Sequence, residues 1–275
     1  MKGKVVLLFL MLALFSVSLV YASPVNLPTG ISSKEGALLT KQDRADMMAG
    51  SEEDVDLSAS LAFDHISKRK MKYDSPEAQG NFYEGKLTVT LIDIFDIYGL
   101  FGGVSDAEYK FIDRGSDDVE YNLENQYMWG VGLSAIVFEL EDSEEGDTGF
   151  TLFVDGNYRS VRDIDIESAT INGAEVQESD LLYASAEWQE WQLAIGVSKK
   201  FKYFIPYAGV KYSDVKAEGK ATYLGTKYDM GDNESKDKVG PFVGVSIVPT
   251  NGFSIDLQGR FVDEEAYSVS ATLKF

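Results

Sequence analysis

Long stretches of this chain alternate between apolar and polar residues with a period of two. The segment Ala266–Phe275 shows the pattern most clearly, with Tyr267, Leu273 and Phe275 on one face and hydroxyl and lysine side chains on the other. Successive side chains of a β-strand point to opposite faces, so the pattern predicts a strand with one apolar and one polar face. The segment carries no polar tail to protect a sheet edge, and a closed barrel has no edge to protect.

The same alternation recurs from Leu57 onward and predicts about ten strands, each near the roughly 9–11 residues that cross a bilayer at a tilt. The predicted strands are 57–64, 83–91, 98–104, 129–137, 150–159, 182–197, 204–212, 239–247, 253–261 and 266–275. Within 182–197 the apolar parity changes between Trp188 and Trp191. We interpret this as a β-bulge near Gln189–Glu190, because one extra residue flips the register. Counts of eight or twelve strands stay open, because single strand signals are weak.

The connections between predicted strands differ in length at the two ends. The connections of one set are short, at 93–96, 140–147, 198–202 and 248–252. The opposite set lies at 72–80, 111–127, 162–181, 215–237 and 263–265, and three of these are long and acidic. Short periplasmic turns and longer extracellular loops are typical of bacterial outer-membrane barrels. The sequence therefore predicts an all-β fold, a transmembrane antiparallel up-and-down β-barrel over residues 57–275.

The N-terminal residues predict export. Met1–Lys4 carries two lysines, Val5–Val20 is apolar apart from two serines, and Val20–Ala22 offers the small residues that signal peptidase requires. We expect residues 1–22 to be a signal peptide cleaved after Ala22. An uncleaved anchor is the weaker interpretation, because the run is shorter than the about 18 apolar residues of a spanning helix. Residues 23–56 show no sustained alternation, and we expect a periplasmic arm or a plug in the barrel lumen.

Composition and charge narrow the classes of partner. The chain has no cysteine, 15 Tyr and 16 Phe, and a formal net charge of −20 at pH 7. Such acidity repels phosphates, so we expect no nucleic-acid partner. The acidic segments at 117–120 and 163–167 lack the ordered spacing of a calcium loop. We therefore expect no metal site and no cofactor, and we interpret the acidic loops as solvated surfaces.

Two motifs resemble those of small Gram-negative outer-membrane β-barrels. Phe204–Ser213 is similar to the strand with proline, tyrosine and glycine found in opacity and outer-membrane-protein-A-like barrels. Ile94–Leu100 resembles their periplasmic hairpin, in which a turn leads into an aromatic-glycine strand. The resemblance, which extends to the porin-like superfamily, implies Tyr267, Leu273 and Phe275 as an assembly signal. It also implies outer-membrane lipid and the assembly machinery as partners, although the usual eight strands differ from the count of ten.

Charged residues on the predicted inward faces define a candidate lumen. Both signs of charge are present, which is typical of a lumen that holds water or ion pairs. Two interpretations follow, a salt-bridged plug or a narrow path for small solutes. Barrels of about 8 strands are filled by side chains and barrels of about 16–18 strands leave an open channel, so a barrel of ten strands lies near the closed end of this range. The predicted lumen-lining residues are Asp64, Glu84, Lys86, Asp155, Arg159, Glu187, Lys211, Asp256, Arg260 and Lys274.

The sequence offers little catalytic chemistry. The single histidine, His65, has outward parity, and adjacent Asp64 must face the opposite side of the strand. We therefore expect no catalytic residues and a non-enzymatic protein, either a porin-like narrow diffusion path or a structural or surface-interaction barrel. The alternatives are an outer-membrane enzyme acting on lipid or peptide and a soluble periplasmic ligand-binding barrel. Lys68, Arg69 and Lys70 could bind lipopolysaccharide phosphates, although a solvated strand end explains them equally well.

Overall fold

The computed structural model describes residues 24–29, 31, 55–72, 77–112, 117–140, 149–177, 181–201, 203–223, 225–229, 233–250 and 252–275. The predicted signal peptide, its cleavage site and most of the 23–56 segment lie outside these residues. No helix in the described ranges is long and apolar enough to cross a membrane. The strands are β1 (Val55–Lys70), β2 (Glu77–Leu91), β3 (Phe95–Ile112), β4 (Asp118–Leu123), β5 (Gln126–Glu139), β6 (Phe150–Ile164), β7 (Ile166–Ile171), β8 (Ala174–Gln177), β9 (Leu181–Lys199), β10 (Phe204–Tyr223), β11 (Thr226–Asp229), β12 (Asn233–Glu234), β13 (Val239–Thr250), β14 (Phe253–Arg260) and β15 (Glu264–Lys274).

Ten of these strands close into an antiparallel barrel. The ring order is β1, β2, β3, β5, β6, β9, β10, β13, β14 and β15, and β15 pairs back with β1. The closing pair runs from Ser58 opposite Lys274 to Arg69 opposite Glu264. At its lower end the Phe275 amide donates a hydrogen bond to the Leu57 carbonyl over 2.8 Å. The predicted β-barrel of ten strands is confirmed.

The outward faces of the ring form an apolar band. Along β9, the side chains of Trp191, Leu193 and Ile195 are 46–56% exposed, whereas the alternate residues Gln192 and Ala194 are 2% exposed. A row of aromatic rings crosses four neighbouring strands, β5, β6, β9 and β10, toward the long-loop end of the outer wall. Its rings belong to Trp129, Tyr158, Trp191 and Tyr212, with centroids 5.7 Å apart in the first pair and 5.1 Å apart in the last. Such an apolar band bordered by aromatic side chains fits the hydrocarbon of a bilayer and its boundary.

The two ends of the barrel differ. At the turn end, β2 and β3 are joined by the three-residue turn Ile92–Ile94. At the loop end, the chain continues as paired β-ribbons: β4 pairs with β3 and with β7, β8 pairs with β7, and β11 and β12 pair with β10. The predicted connections at 111–127, 162–181 and 215–237 therefore contain additional strands that the alternation did not predict. These segments form strands because buried side chains such as Val119 and Tyr121 pack them together.

Strand β9 keeps one inside–outside parity, so the predicted bulge near Gln189–Glu190 is wrong. β9 and β10 pair without a register shift from Ser198 opposite Tyr207 down to Ser185 opposite Lys220. The irregularity lies instead in β6, between Val161 and Ile164. Trp188 faces the barrel interior because the lumen is apolar at this height, whereas the prediction assigned every apolar residue to the lipid face.

Candidate functional site

The lumen is filled in three layers between the turn end and the loop end. Along β6, the inward residues change from Asn157 to Arg159 to Val161, that is, from amide to cation to hydrocarbon. Along β1 they change from Ser60 to Asp64 and then to Ile66, before Arg69 reaches back to the ion layer. We call the three levels the turn-end layer, the ion layer and the apolar layer. The same order on these two strands, which lie four places apart in the ring, defines the three layers.

The ion layer joins four cations to five carboxylates from seven strands and one turn. None of its side chains is more than 3% exposed, and its members are Asp64, Arg69, Glu84, Arg159, Glu190, Lys211, Arg260, Asp263 and Glu264. Arg159 is the central cation. Its guanidinium lies 2.6 Å from Glu190, 2.9 Å from Glu84 and 3.5 Å from Asp64. Because β1 and β6 lie four places apart in the ring of ten, these ion pairs bridge nearly opposite walls.

A second group of ion pairs lies beside the closing pair of strands. Arg260 donates to Asp64 over 2.6 Å and to Glu264 over 2.9 Å. Lys211 lies 2.7 Å from Asp263 and also contacts Glu264. Buried charges of this kind need partners, since desolvation of an isolated ion costs several kcal/mol. The paired arrangement leaves no described cation of the layer without a carboxylate.

Arg69 belongs to this layer, so its predicted contact with lipopolysaccharide is wrong. Its side chain is 0% exposed and lies 2.7 Å from Glu190 and 3.4 Å from Glu264. A register shift between Ile66 and Lys68 in the β1–β15 pair changes the parity of β1 and turns Arg69 inward. Lys68, paired with Glu77 at 2.5 Å, and Lys70 stay near the surface, so a lipid contact by these two remains a prediction.

The turn-end layer contains part of the N-terminal segment. The Val25 amide donates to Gln258 Oε1 over 2.9 Å, and Gln258 Nε2 donates back to the Val25 carbonyl over 3.0 Å. Asn26 accepts a hydrogen bond from Lys86 over 2.6 Å and donates one to the Tyr98 hydroxyl over 2.9 Å. Wall side chains of the barrel therefore hold both the backbone and a side chain of this segment.

The same segment is anchored further along the chain. The Thr29 amide donates to Asp96 Oδ2 over 2.7 Å. Val25 and Ile31 are 2% and 5% exposed. Both pack in a cluster with Phe153, Tyr207 and Phe242 of the barrel wall. Residues 24–29 and 31 therefore lie in the turn-end layer of the lumen.

The predicted lumen-lining residues fall at several heights. Asp64, Glu84, Arg159, Lys211 and Arg260 meet in the ion layer. The turn-end layer holds Lys86, Asp155 and Asp256, of which Asp155 accepts a hydrogen bond from Tyr98 over 2.6 Å and Asp256 one from Ser270 over 3.4 Å. Lys274 lies at the turn-end mouth, where it pairs with Asp56.

Glu187 lies at the outer wall near the loop end, although the residue also borders the cavity of the apolar layer. Its side chain is exposed, because β9 keeps its parity and places odd residues on the outer wall. The prediction missed four members of the ion layer. Glu190 was missed because a bulge was assumed beside it, and Arg69 because the register shift in β1 was not predicted. Asp263 and Glu264 were assigned to a short loop.

The apolar layer begins directly above the ion layer. Its inner wall includes Ile66, Phe82, Val104 and Val161, each at most 5% exposed. The Arg159 guanidinium carbon lies 4.0 Å from the centroid of the Phe82 ring. This cation–π contact joins the two layers.

The single histidine lies on the outer wall. The His65 ring packs in a tilted arrangement against that of Tyr267, with centroids 4.7 Å apart, while neighbouring Asp64 points inward to Arg260. In the described part of the chain, no group of three or more metal-ligating side chains could hold a metal ion.

No protein-family model matches this chain. The curated relatives include the major outer membrane porin of Chlamydia trachomatis, serovar C, at 24% identity over 34% of this chain and 33% of that protein. The serovar H porin of the same organism is 25% identical over the same shares. This chain therefore spans about a third of the length of the curated relatives that it matches. The closed ring, its lipid-facing band and this similarity agree. The chain is a bacterial outer-membrane β-barrel.

Solved barrels are similar to this outer-membrane barrel only in overall form. The outer membrane protease OmpT of Escherichia coli gives a TM-score of 0.44 at 7% identity, covering 81% of this chain and 96% of that one. The Ail protein of Yersinia pestis gives 0.32 at 12% identity, covering 82% and 97%. The first is named as an outer membrane protease and the second as the attachment invasion locus protein.

Proposed function

We propose that this barrel is a non-enzymatic surface protein whose lumen holds no open diffusion path. The observation that carries the proposal is the ion layer, in which nine charged side chains are at most 3% exposed. An aqueous pore keeps its lumenal charges hydrated, whereas these charges are paired with one another. A ring of ten strands is also narrow enough for side chains to fill much of it.

The N-terminal segment supports the same proposal at a second height. Val25, Asn26 and Thr29 bond to opposite parts of the wall, through Gln258 on β14 and Asp96 on β3. A solute entering from the turn end would meet this segment before the ion layer. The N-terminal segment and the ion layer would therefore obstruct the path at two successive heights, which makes an open path at rest less favourable than one obstruction would.

The loop-end ribbons are the surface that such a barrel would present to the outside. Their strands pack on buried side chains, including Val119, Tyr121 and Ile166. Lys238 lies between Asp214 and Glu234, at 2.8 and 3.0 Å. The hydrogen bond with Asp214 raises the pKa of Lys238 to about 12. Ordered ribbons of this kind suit recognition of a partner better than solvated loops do, because little chain entropy is lost on binding.

Single-channel recording in planar bilayers tests the proposal. We expect no conductance steps from the wild-type protein. A variant that lacks residues 23–31 and carries both Arg159→Ala and Glu84→Ala should give small steps, because both obstructions are weakened. The matched control carries Lys110→Ala and Glu120→Ala, an exposed ion pair at 3.1 Å in the ribbons, and should stay silent. Stable porin-sized steps from the wild type would contradict the proposal.

A gated diffusion path is the second candidate. It is favoured by the partial similarity to porins and by the few hydrogen bonds that hold the N-terminal segment. Brief openings of the wild type that become long in Gln258→Ala would support gating, since this change removes both bonds to Val25.

The non-enzymatic part of the proposal rests on the position of His65 on the outer wall. We expect His65→Ala to leave any lipid- or peptide-hydrolysing activity of the purified protein unchanged. A loss of such activity with the barrel intact, judged by heat-modifiable migration on gels, would contradict it.

A further inference from the structure

The apolar layer encloses a cavity that the proposed function does not use. Its empty space is about 570 Å³, including its open mouth. The side chains that line it are mostly hydrocarbon or aromatic, among them Ile66, Phe82, Val104, Tyr109, Tyr121 and Trp188. A lumen that served only to hold water or ion pairs would not need such a lining. Apolar cavities with few polar groups are the usual form of small-molecule sites.

The floor of the cavity sets how a ligand could enter. Phe82 forms part of the floor, and the Arg159 guanidinium lies against it at 4.0 Å. One face of the Phe82 ring is therefore already covered by a cation, which leaves the other contacts of this ring to apolar groups. An apolar group could occupy the space above Phe82 and bury its surface.

The mouth of the cavity is lined by negatively charged side chains. An acidic cleft adjoins the cavity, and Ala107, Glu108 and Leu123 line both of them. The cleft also presents the carboxylates of Asp106 and Glu124. No three of the described carboxylates are grouped to hold a metal ion. The negative potential therefore suits a diffuse organic cation better than a coordinated metal.

The aromatic lining favours the same class of ligand. Trp188 and the two tyrosines contribute aromatic rings to the lining, and such rings attract ammonium groups and pack on hydrocarbon. The Trp188 indole N–H is buried and has no hydrogen-bond acceptor among the described residues. We propose that this cavity binds the apolar body of a small alkyl- or arylammonium compound, with the ammonium group toward the acidic cleft.

Three six-carbon probes of different charge test this proposal on the full mature protein in lipid nanodiscs. Binding of hexylammonium, 1-hexanol and hexanoate is measured by calorimetry and by ligand-observed NMR, with empty nanodiscs as the reference for partition into lipid. We expect hexylammonium to bind more tightly than 1-hexanol, and hexanoate to bind least. Equal binding of all three, or tighter binding of hexanoate, would overturn the proposal.

Two kinds of variant separate the cavity from the cleft. Ala107→Phe fills the cavity and should abolish binding of hexylammonium and 1-hexanol, with Ala186→Leu as a second filling variant should the first fail to fold. Glu124→Gln with Glu167→Gln neutralises two exposed cleft residues and should weaken hexylammonium about fivefold while leaving 1-hexanol unchanged. The matched control is Glu265→Gln, an exposed carboxylate outside the cleft. Hexylammonium affinity that is unaltered by cavity filling, or lowered equally by the control, would overturn the proposal.

Discussion

The ion pair between Glu84 and Arg159 gives the most direct test of the ion layer. Arg159 donates to Glu84 over 2.9 Å, and among the described residues it is the one cation within ion-pair distance of Glu84. Arg159→Met leaves Glu84 as a buried carboxylate without a cation, which we expect to cost about 3–5 kcal/mol of unfolding free energy. Glu84→Gln costs less, about 1–3 kcal/mol, because the guanidinium keeps Glu190 at 2.6 Å.

The two changes together should cost less than the sum of the two alone. In the double variant no carboxylate is stranded at position 84, so we expect a coupling free energy of about 1–3 kcal/mol. Unfolding by urea is followed by tryptophan fluorescence in lipid vesicles, and folded protein is confirmed by heat-modifiable migration.

A matched pair outside the lumen provides the control. Lys110 and Glu120 also form a cross-strand ion pair, at 3.1 Å, but their side chains are 48% and 32% exposed. Their coupling should be at most about 0.2–1 kcal/mol. Additive effects of the Glu84 and Arg159 changes, within about 0.5 kcal/mol, would refute the argument that burial makes the ion layer an obligatory set of partners.

Three further predictions test the outer wall and the closure of the ring. Leu193→Arg, on the lipid face at 56% exposure, should cost about 2–4 kcal/mol, whereas Glu187→Arg near the loop end should cost about 0–1 kcal/mol in the same unfolding assay; equal costs would contradict their placement. Gly244→Ala should destabilise by about 1–3 kcal/mol, because its Cβ would lie 2.3 Å from a buried tyrosine ring, while Gly99→Ala meets nothing within 4 Å and should be tolerated. Deleting Phe275 should lower the fraction of heat-modifiable barrel recovered in the outer membrane; undiminished recovery would remove its assigned role in assembly.

The ring could be predicted from the sequence because lipid imposes one rule on every strand. Outward side chains such as Leu193 and Ile195 must be apolar, so strand number and direction follow from alternation alone. Turn length then identifies the two ends. These parts of the fold need no knowledge of which strands meet across the lumen.

The lumen could not be predicted to the same extent. Its side chains are determined by their contacts with one another, whereas the outward side chains all contact the same lipid. Trp188 is apolar but faces inward, and only the assumption that every apolar residue faces lipid led to a predicted bulge beside it. Arg69 turns inward only because the register of β1 shifts beside Ile66. Local shifts of one residue leave little trace in composition. They decide which charges meet.

The order in which this barrel assembles follows from where its ion pairs cross the wall. Ser60 and Thr272 are hydrogen-bonded across the β1–β15 pair although 212 residues separate them, so closing this seam carries the largest loop-closure entropy and is slow. Arg260 and Asp64, separated by 196 residues, meet across the same seam. Until β15 docks, these charges line an open, wet groove and are hydrated at little cost. Docking of β15 expels that water and pairs the charges in one step, so the ion pairs in the lumen hold the β1–β15 seam closed. Separating the seam again would break buried ion pairs before water could reach the charges, which gives the finished barrel a kinetic barrier to lateral opening.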